Sequence, residues 1–150
     1  MSKPLWHTFK GQDNAAYEAL IDLRYRVLRK PWNQPLTSAI DSSDAEAIHT
    51  VAFVNSTLVA CGRLHACDTL TGQLRYMAVC HKFQNTGLGA GLIKHLEIAA
   101  QDLNLKYIQL NAREAAVVFY ERHGYLNQGY CFTLWDRIRH YKMTKTLNPK

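Results

Sequence analysis

A chain of 150 residues, 47% of them apolar, is long enough to close one core and too short for two comfortable domains, so residues 1–150 read as a single domain. Neither the start, Met1–His7, nor any later stretch carries an apolar run of signal-peptide or membrane-span length, which predicts a cytoplasmic protein without membrane contact. The formal charge of +6 raises nucleic-acid binding, but the basic residues are scattered outside Arg24–Lys30 and the tail, and no recognisable nucleic-acid module accompanies them.

In chain order, Leu5–Lys10 is a first strand closed by Gly11-Gln12-Asp13. Asn14 suits the cap of a helix whose apolar stripe is Tyr17, Leu20, Leu23, Val27 and Leu28. That helix is expected to end before Pro31, because the residue preceding a proline is pushed out of the α region. Lys30–Leu36 is then a loop holding Trp32, and Asp41–Ala47 a short helical turn capped by Asp41 or Ser42. Strands His49–Val54 and Leu58–His65, joined by Asn55-Ser56-Thr57, read as an antiparallel hairpin. A turn at Thr69–Gly72 leads into strand Gln73–Val79, where alternation puts Leu74, Tyr76 and Ala78 on one face and Met77 and Val79 on the other.

Cys61, Cys67, Cys80 and Cys131 lack C-x-x-C spacing. Cys61, His65 and Cys67 would project from one strand and its end, a geometry that rarely closes a tetrahedral metal site, so no metal is expected.

From Gly87 onward Leu88, Leu92, Leu96, Ala99 and Leu103 recur at helical spacing, so strand, tight loop and helix follow one another. Glycines at the mouth of a helix admit a ligand close to unpaired backbone N–H groups, which suits a phosphate. A dinucleotide fingerprint fails, because Leu92 stands where its third glycine belongs, and a P-loop fails for want of Gly-Lys-Ser/Thr. Gln84-Asn85-Thr86-Gly87-Leu88-Gly89 fits the pattern Gln/Arg-x-x-Gly-x-Gly/Ala of acyl-coenzyme A transferases, the alternative being a plain glycine-rich turn. After the helix, Asn104 offers a left-handed cap, Tyr107–Asn111 is a strand parallel to Gln73–Val79, and Glu114–His123 is a helix ended by Gly124. Tyr125–Gly129 and Ile138–Lys145 are the last two strands.

Three blocks carry a family resemblance: Leu74–Leu92, then Leu110–Tyr125 with Phe119-Tyr120-Glu121-Arg122-His123-Gly124-Tyr125, and the tail Arg137–Met143. The chain resembles the GNAT acetyltransferase superfamily, near its ElaA-like branch. The resemblance implies an α/β (α+β) fold: a mostly antiparallel mixed sheet of about seven strands with a central splayed parallel pair, flanked by about four helices. It also implies transfer of an acetyl group from acetyl-CoA to a primary amine, on a small-molecule or peptide acceptor, by direct attack in a ternary complex. A homodimer is compatible with it, and an acyl-CoA-holding module without turnover is the alternative reading. His81 stands in place of a frequent proline, Asn85 of a frequent glycine, and Arg113 of an asparagine that in many members faces the cofactor.

Carried onto this sequence, the resemblance gives Met77, Ala78 and Val79 the pantetheine arm and Gln84, Asn85, Thr86, Gly87, Leu88, Gly89 and Ala90 the diphosphate. Asn111 and Ala116 join that cofactor set, and Trp32 and His140 line the acceptor side. Tyr120 is the acid that protonates the departing thiolate. The base that relieves the amine of its proton is not readable: His65, His81, His140 and Glu46 all qualify, with a slight preference for His140.

Overall fold

The computed structural model describes residues 2–150. Seven strands, β1 (Leu5–Lys10), β2 (Ile48–Val54), β3 (Thr57–Ala66), β4 (Thr71–Val79), β5 (Tyr107–Arg113), β6 (Leu126–Leu134) and β7 (Ile138–Thr146), form one sheet in the order β1-β2-β3-β4-β5-β7-β6. All neighbours are antiparallel except β4 and β5, which run parallel as expected. Strand β6 extends through Leu134, five residues beyond the expected end at Gly129. Its outward positions are exposed, which hides an edge strand from a reading based on apolar alternation.

Three α-helices occur among the described residues, α1 (Tyr17–Arg24), α2 (Leu88–Asp102) and α3 (Val117–Arg122), rather than about four. Where a fourth would follow α1, there are two single 3₁₀ turns, Leu36–Ala39 after Pro35 and Ser42–Ala45. The second begins at Asp41, whose carboxylate accepts the Ser43 N–H at 2.7 Å. The expected stop before Pro31 also needs correction: α1 widens to a π-helical turn over Tyr25–Arg29, and one 3₁₀ turn carries Lys30–Trp32 to left-handed Asn33. Proline sits at the start of that short turn, where a missing N–H costs nothing.

Helix α2 covers one face of the sheet, burying Leu96 and Ile93 with Leu74, Leu110, Ala112, Tyr120 and Met143. The other face is covered by α1, through Leu20 and Leu23 against Val51, Cys61 and Ala78. Leu74 therefore shares a face with Met77 and Val79, not with Tyr76 and Ala78. The cause is a bulge. Tyr76 sits at φ +55, and the register slips between Cys61 and Arg63, so two residues of β4 oppose one of β3.

Beneath α1 lies an ionic cluster that apolar periodicity gives no hint of. Arg24 bonds both oxygens of Asp44, at 2.7 and 3.1 Å, with both side chains essentially fully buried. Arg63 reaches Asp44 at 3.2 Å and Asp41 at 3.3 Å, and the Tyr17 hydroxyl donates to Asp44 at 2.7 Å. These pairs tie α1 and the 3₁₀ turn at Ser42–Ala45 to the middle of β3. Asp44→Ala should cost about 3–5 kcal/mol, because Arg24 would remain buried without a counter-charge and Arg63 would keep only Asp41. Urea unfolding measures it, and a loss under about 1 kcal/mol would show that the arginines find other partners.

Candidate active site

Parallel pairing of β4 with β5 is short. Thr71–Gln73 face Tyr107–Gln109, and beyond them the two strands are no longer bonded to each other. β4 continues along β3 and β5 along β7, so the sheet opens between them into a cleft of about 560 Å³. The bulge at Tyr76 falls where the strands part, and bulges bend and over-twist the strand that carries them. Cys80 N–H donates to the Val59 carbonyl, so Ala78 and Cys80 turn their amides to β3. Alternation leaves those of Val79 and Met77 on the cleft side.

β4 leads into the loop Gln84–Gly87 and α2. Gln84, Asn85, Thr86 and Gly87 are exposed; Asn85 has φ +62 and Gly87, the cap residue of α2, has φ +89. A Cβ at Gly87 would meet nothing within 4 Å, so that glycine is required by its backbone angle and leaves open space before the helix. Gly89 differs: a Cβ there would lie 3.0 Å from the Phe119 ring, so this glycine admits α3 rather than a ligand. Leu88 and Ala78 are buried in the core and Ala90 is half-buried, which leaves Leu88 and Ala78 only backbone to offer.

Of the residues singled out by sequence, the cleft brings together Met77, Asn111, Ala116, Tyr120 and His140. Tyr120 enters from α3, on the α2 face; its ring packs edge-on against Phe119 and Tyr125, and its hydroxyl makes no hydrogen bond among the described residues. Burial alone raises its pKa well above the usual value, so the phenol stays protonated throughout the neutral range. His140 lies opposite Arg113 in the β5–β7 register and stacks on Phe132 at 4.5 Å. Its Nδ1 lies 2.9 Å from the Ile138 carbonyl, which must accept, so Nδ1 carries the proton and Nε2 the lone pair. Desolvation first, and then the positive charges of Arg113 and Arg29, lower its pKa and hold it neutral.

Trp32, at the end of its 3₁₀ turn, does not line the cleft; Trp135 does, in the β6–β7 turn. Sequence offered Trp135 no distinction, since the importance of that turn follows from the unforeseen length of β6. Glu46 is exposed, and neither it nor His65 or His81 lines the cleft. Arg29, Arg75, Tyr76 and Arg113 do, and sequence reasoning missed their convergence. The Arg113 guanidinium donates to the Leu28 carbonyl at 3.0 Å.

The sequence pattern of the Acetyltransferase (GNAT) family matches residues 17–125, an interval running from the first residue of α1 to the residue before β6. The chain belongs to that family. It is also 34% identical over 103 residues to YjcF, an uncharacterized N-acetyltransferase of Bacillus subtilis (strain 168), a match covering 69% of this chain and 73% of the relative. The fold is shared with Escherichia coli ElaA, at a TM-score of 0.82 and 21% identity over 95% of this chain and 99% of the other. A GNAT family acetyltransferase from Elizabethkingia anophelis with acetyl-CoA bound has a TM-score of 0.71 and 18% identity, over 96% and 98% of the two chains. No helix among the described residues is long and apolar enough to cross a membrane, and no cluster of three metal-ligating side chains occurs among them.

The environment of His140 gives a pH expectation. Its folded pKa lies below the ordinary histidine value of about 6.5, so its contribution to stability is present above that value and is lost as pH falls through the folded pKa. A histidine-selective NMR titration should show the Nδ1–H tautomer at neutral pH and a His140 midpoint below 6.5. A midpoint above 6.5 would mean that burial and the two arginines do not govern the ring.

Proposed function

We propose that this protein transfers an acetyl group from acetyl-CoA to a primary amine within a ternary complex. The observation that carries the reading is the cleft opened by the parting of β4 and β5, with the open, glycine-capped mouth of α2 beyond the end of β4. The residues present fit the donor. An extended pantetheine arm has unpaired strand edges to bond to, with the amides of Met77 and Val79 on one side and the edge of β5 at Asn111 on the other, while Ala116, in the 3₁₀ turn after β5, lines the cleft beside it. Backbone N–H groups over Gln84–Ala90 and the positive end of α2 suit a diphosphate. Ala78 and Leu88 would serve through backbone alone.

In the reaction, the amine nitrogen forms a bond to the thioester carbonyl carbon and the carbon–sulfur bond breaks. A cleft amide donating to the carbonyl oxygen stabilises the charge that develops there, an effect of about 3–4 kcal/mol where such donors have been deleted in other enzymes. The Tyr120 phenol, protonated and without a competing acceptor, gives its proton to the departing sulfur. His140 Nε2 takes the proton of the attacking amine, directly or through water; among the bases considered from sequence, it is the one that lines the cleft. A cytoplasmic setting agrees with free access to acetyl-CoA.

Tyr120→Phe tests the acid. It removes a hydroxyl with no partner, so folding stability should hold or rise slightly, and coenzyme A affinity should be unchanged. Turnover should fall about 10²–10⁴-fold, and less for an acyl donor whose thiol leaves more readily. Unchanged turnover would remove Tyr120 from the mechanism. Wild-type protein that binds acetyl-CoA yet releases no coenzyme A with any amine would be a binding module.

A further inference from the structure

The α1 side of the sheet, in and beneath the cleft, holds far more positive than negative charge. Arg24, Arg29, Arg63, Arg75 and Arg113 gather there, and only Asp41 and Asp44 oppose them. Asp44 is taken up by Arg24 and Arg63, and Asp41 by Arg63, Arg75 and the Tyr76 hydroxyl. Arg29 and Arg113 are left with no carboxylate partner among the described residues. Both line the cleft, and no acidic side chain lines it.

Their arrangement is specific. Arg29 is nine-tenths buried, its guanidinium carbon 5.6 Å from the ring centre of Tyr76 and 5.3 Å from that of Trp135, and its hydrogen bonds go to backbone: to Ser38 at 3.1 Å and Leu28 at 3.2 Å. Arg113 reaches the same Leu28 carbonyl at 3.0 Å, so two guanidiniums converge on one oxygen. Burial and their mutual repulsion lower the pKa of Arg113, and burial and Arg75 act likewise on Arg29. Two adjacent, desolvated cations without a counter-ion are costly unless an anion completes the site. The anion is not the diphosphate of the donor, for which the open donors lie at the mouth of α2 on the opposite face.

We infer that the acceptor is a small primary amine carrying a carboxylate, and that Arg29 and Arg113 bind that carboxylate. The inference rests on the acetyl-transfer reading given above. Guanidinium forks match a carboxylate's two oxygens, and Trp135, Phe132 and Leu134 offer apolar surface to the rest of the molecule. The same charge disfavours an ammonium and so favours the neutral amine that can attack, while it repels polycationic acceptors.

The test uses the full chain, acetyl-CoA and matched pairs: alanine with ethylamine, phenylalanine with phenethylamine, and in addition spermidine and phosphoethanolamine. Within a pair kcat/KM should favour the acid about 10- to 100-fold, the range for hydrogen bonds to charged groups. Arg113→Gln should bring that ratio close to one chiefly through KM, with Arg113→Lys recovering part of it. Arg29→Gln also loosens Ser38, so Arg113 is the cleaner position. Equal use of both pair members, a preference for spermidine or phosphoethanolamine, or coenzyme A bound without acetylation of either amino acid would overturn the carboxylate assignment alone. So would an Arg113→Gln loss of coenzyme A affinity as large as the loss in KM. Failure to bind coenzyme A in the absence of any amine would overturn the acetyl-transfer reading itself.

Discussion

One backbone residue sets the geometry of this site. Tyr76 occupies the left-handed region in the middle of β4, a conformation that costs an aromatic residue about 1–2 kcal/mol. Its surroundings leave it no easy alternative. The phenol donates to Asp41 at 2.7 Å, and the Arg24, Arg75 and Arg63 guanidiniums lie 4.2, 4.6 and 5.0 Å from the ring centre. Each cation–π contact contributes about 0.5–2 kcal/mol depending on its desolvation, so together they exceed the strain. The bulge that results turns β4 away from β5 after a short parallel pairing and leaves two unpaired strand edges facing each other.

The ionic cluster beneath α1 thus has two roles that share residues. Its buried half, Arg24, Arg63 and Asp44, fixes α1 to the sheet; its half nearer the cleft, Arg75 and Asp41, fixes Tyr76. The surplus of positive charge that remains acts on the groups lining the cleft. It adds to the burial that keeps His140 neutral, with its Nε2 lone pair available, while the apolar wall around Tyr120 keeps the phenol protonated. Tyr120 and His140 therefore reach the cleft from opposite faces of the sheet, where β4 and β5 part. Burial sets the first protonation state, and burial reinforced by charge sets the second.

Much of this was legible in the chain. The strand, loop and helix from Gln73 to Leu103 announce themselves by a change of apolar period around Gly87, and the structure keeps them close to the expected bounds. The β2–β3 hairpin and the parallel placement of β5 were readable for the same reason, since each rests on local pattern and loop length. The bulge was not. A left-handed tyrosine inside a strand is held by Asp41, Arg24 and Arg63, all distant in sequence, together with its neighbour Arg75, and strict alternation consequently put Leu74 on the wrong face. The pairing of Arg24 with Asp44 and Arg63 was hidden likewise, because charged residues read as surface. Trp32 drew attention because the family resemblance puts its loop on the acceptor side, whereas Trp135 owes its position in the cleft to an edge strand whose exposed positions conceal its length. Even Gly89, which fits the loop pattern, is explained by the Phe119 ring that lies against it.

The central claim is that the unpaired edges of β4 and β5 receive the acyl donor as an added strand. Amide hydrogen exchange, followed residue by residue with and without acetyl-CoA, tests it most directly. The paired segments Thr71–Gln73 and Tyr107–Gln109 should be protected in both states, whereas the Met77 and Val79 amides should exchange fast in the free protein and slow by at least about tenfold on binding, as expected for amides newly held in a hydrogen bond. Binding of acetyl-CoA that leaves Met77 and Val79 as unprotected as before would contradict the account and place the donor elsewhere on the fold.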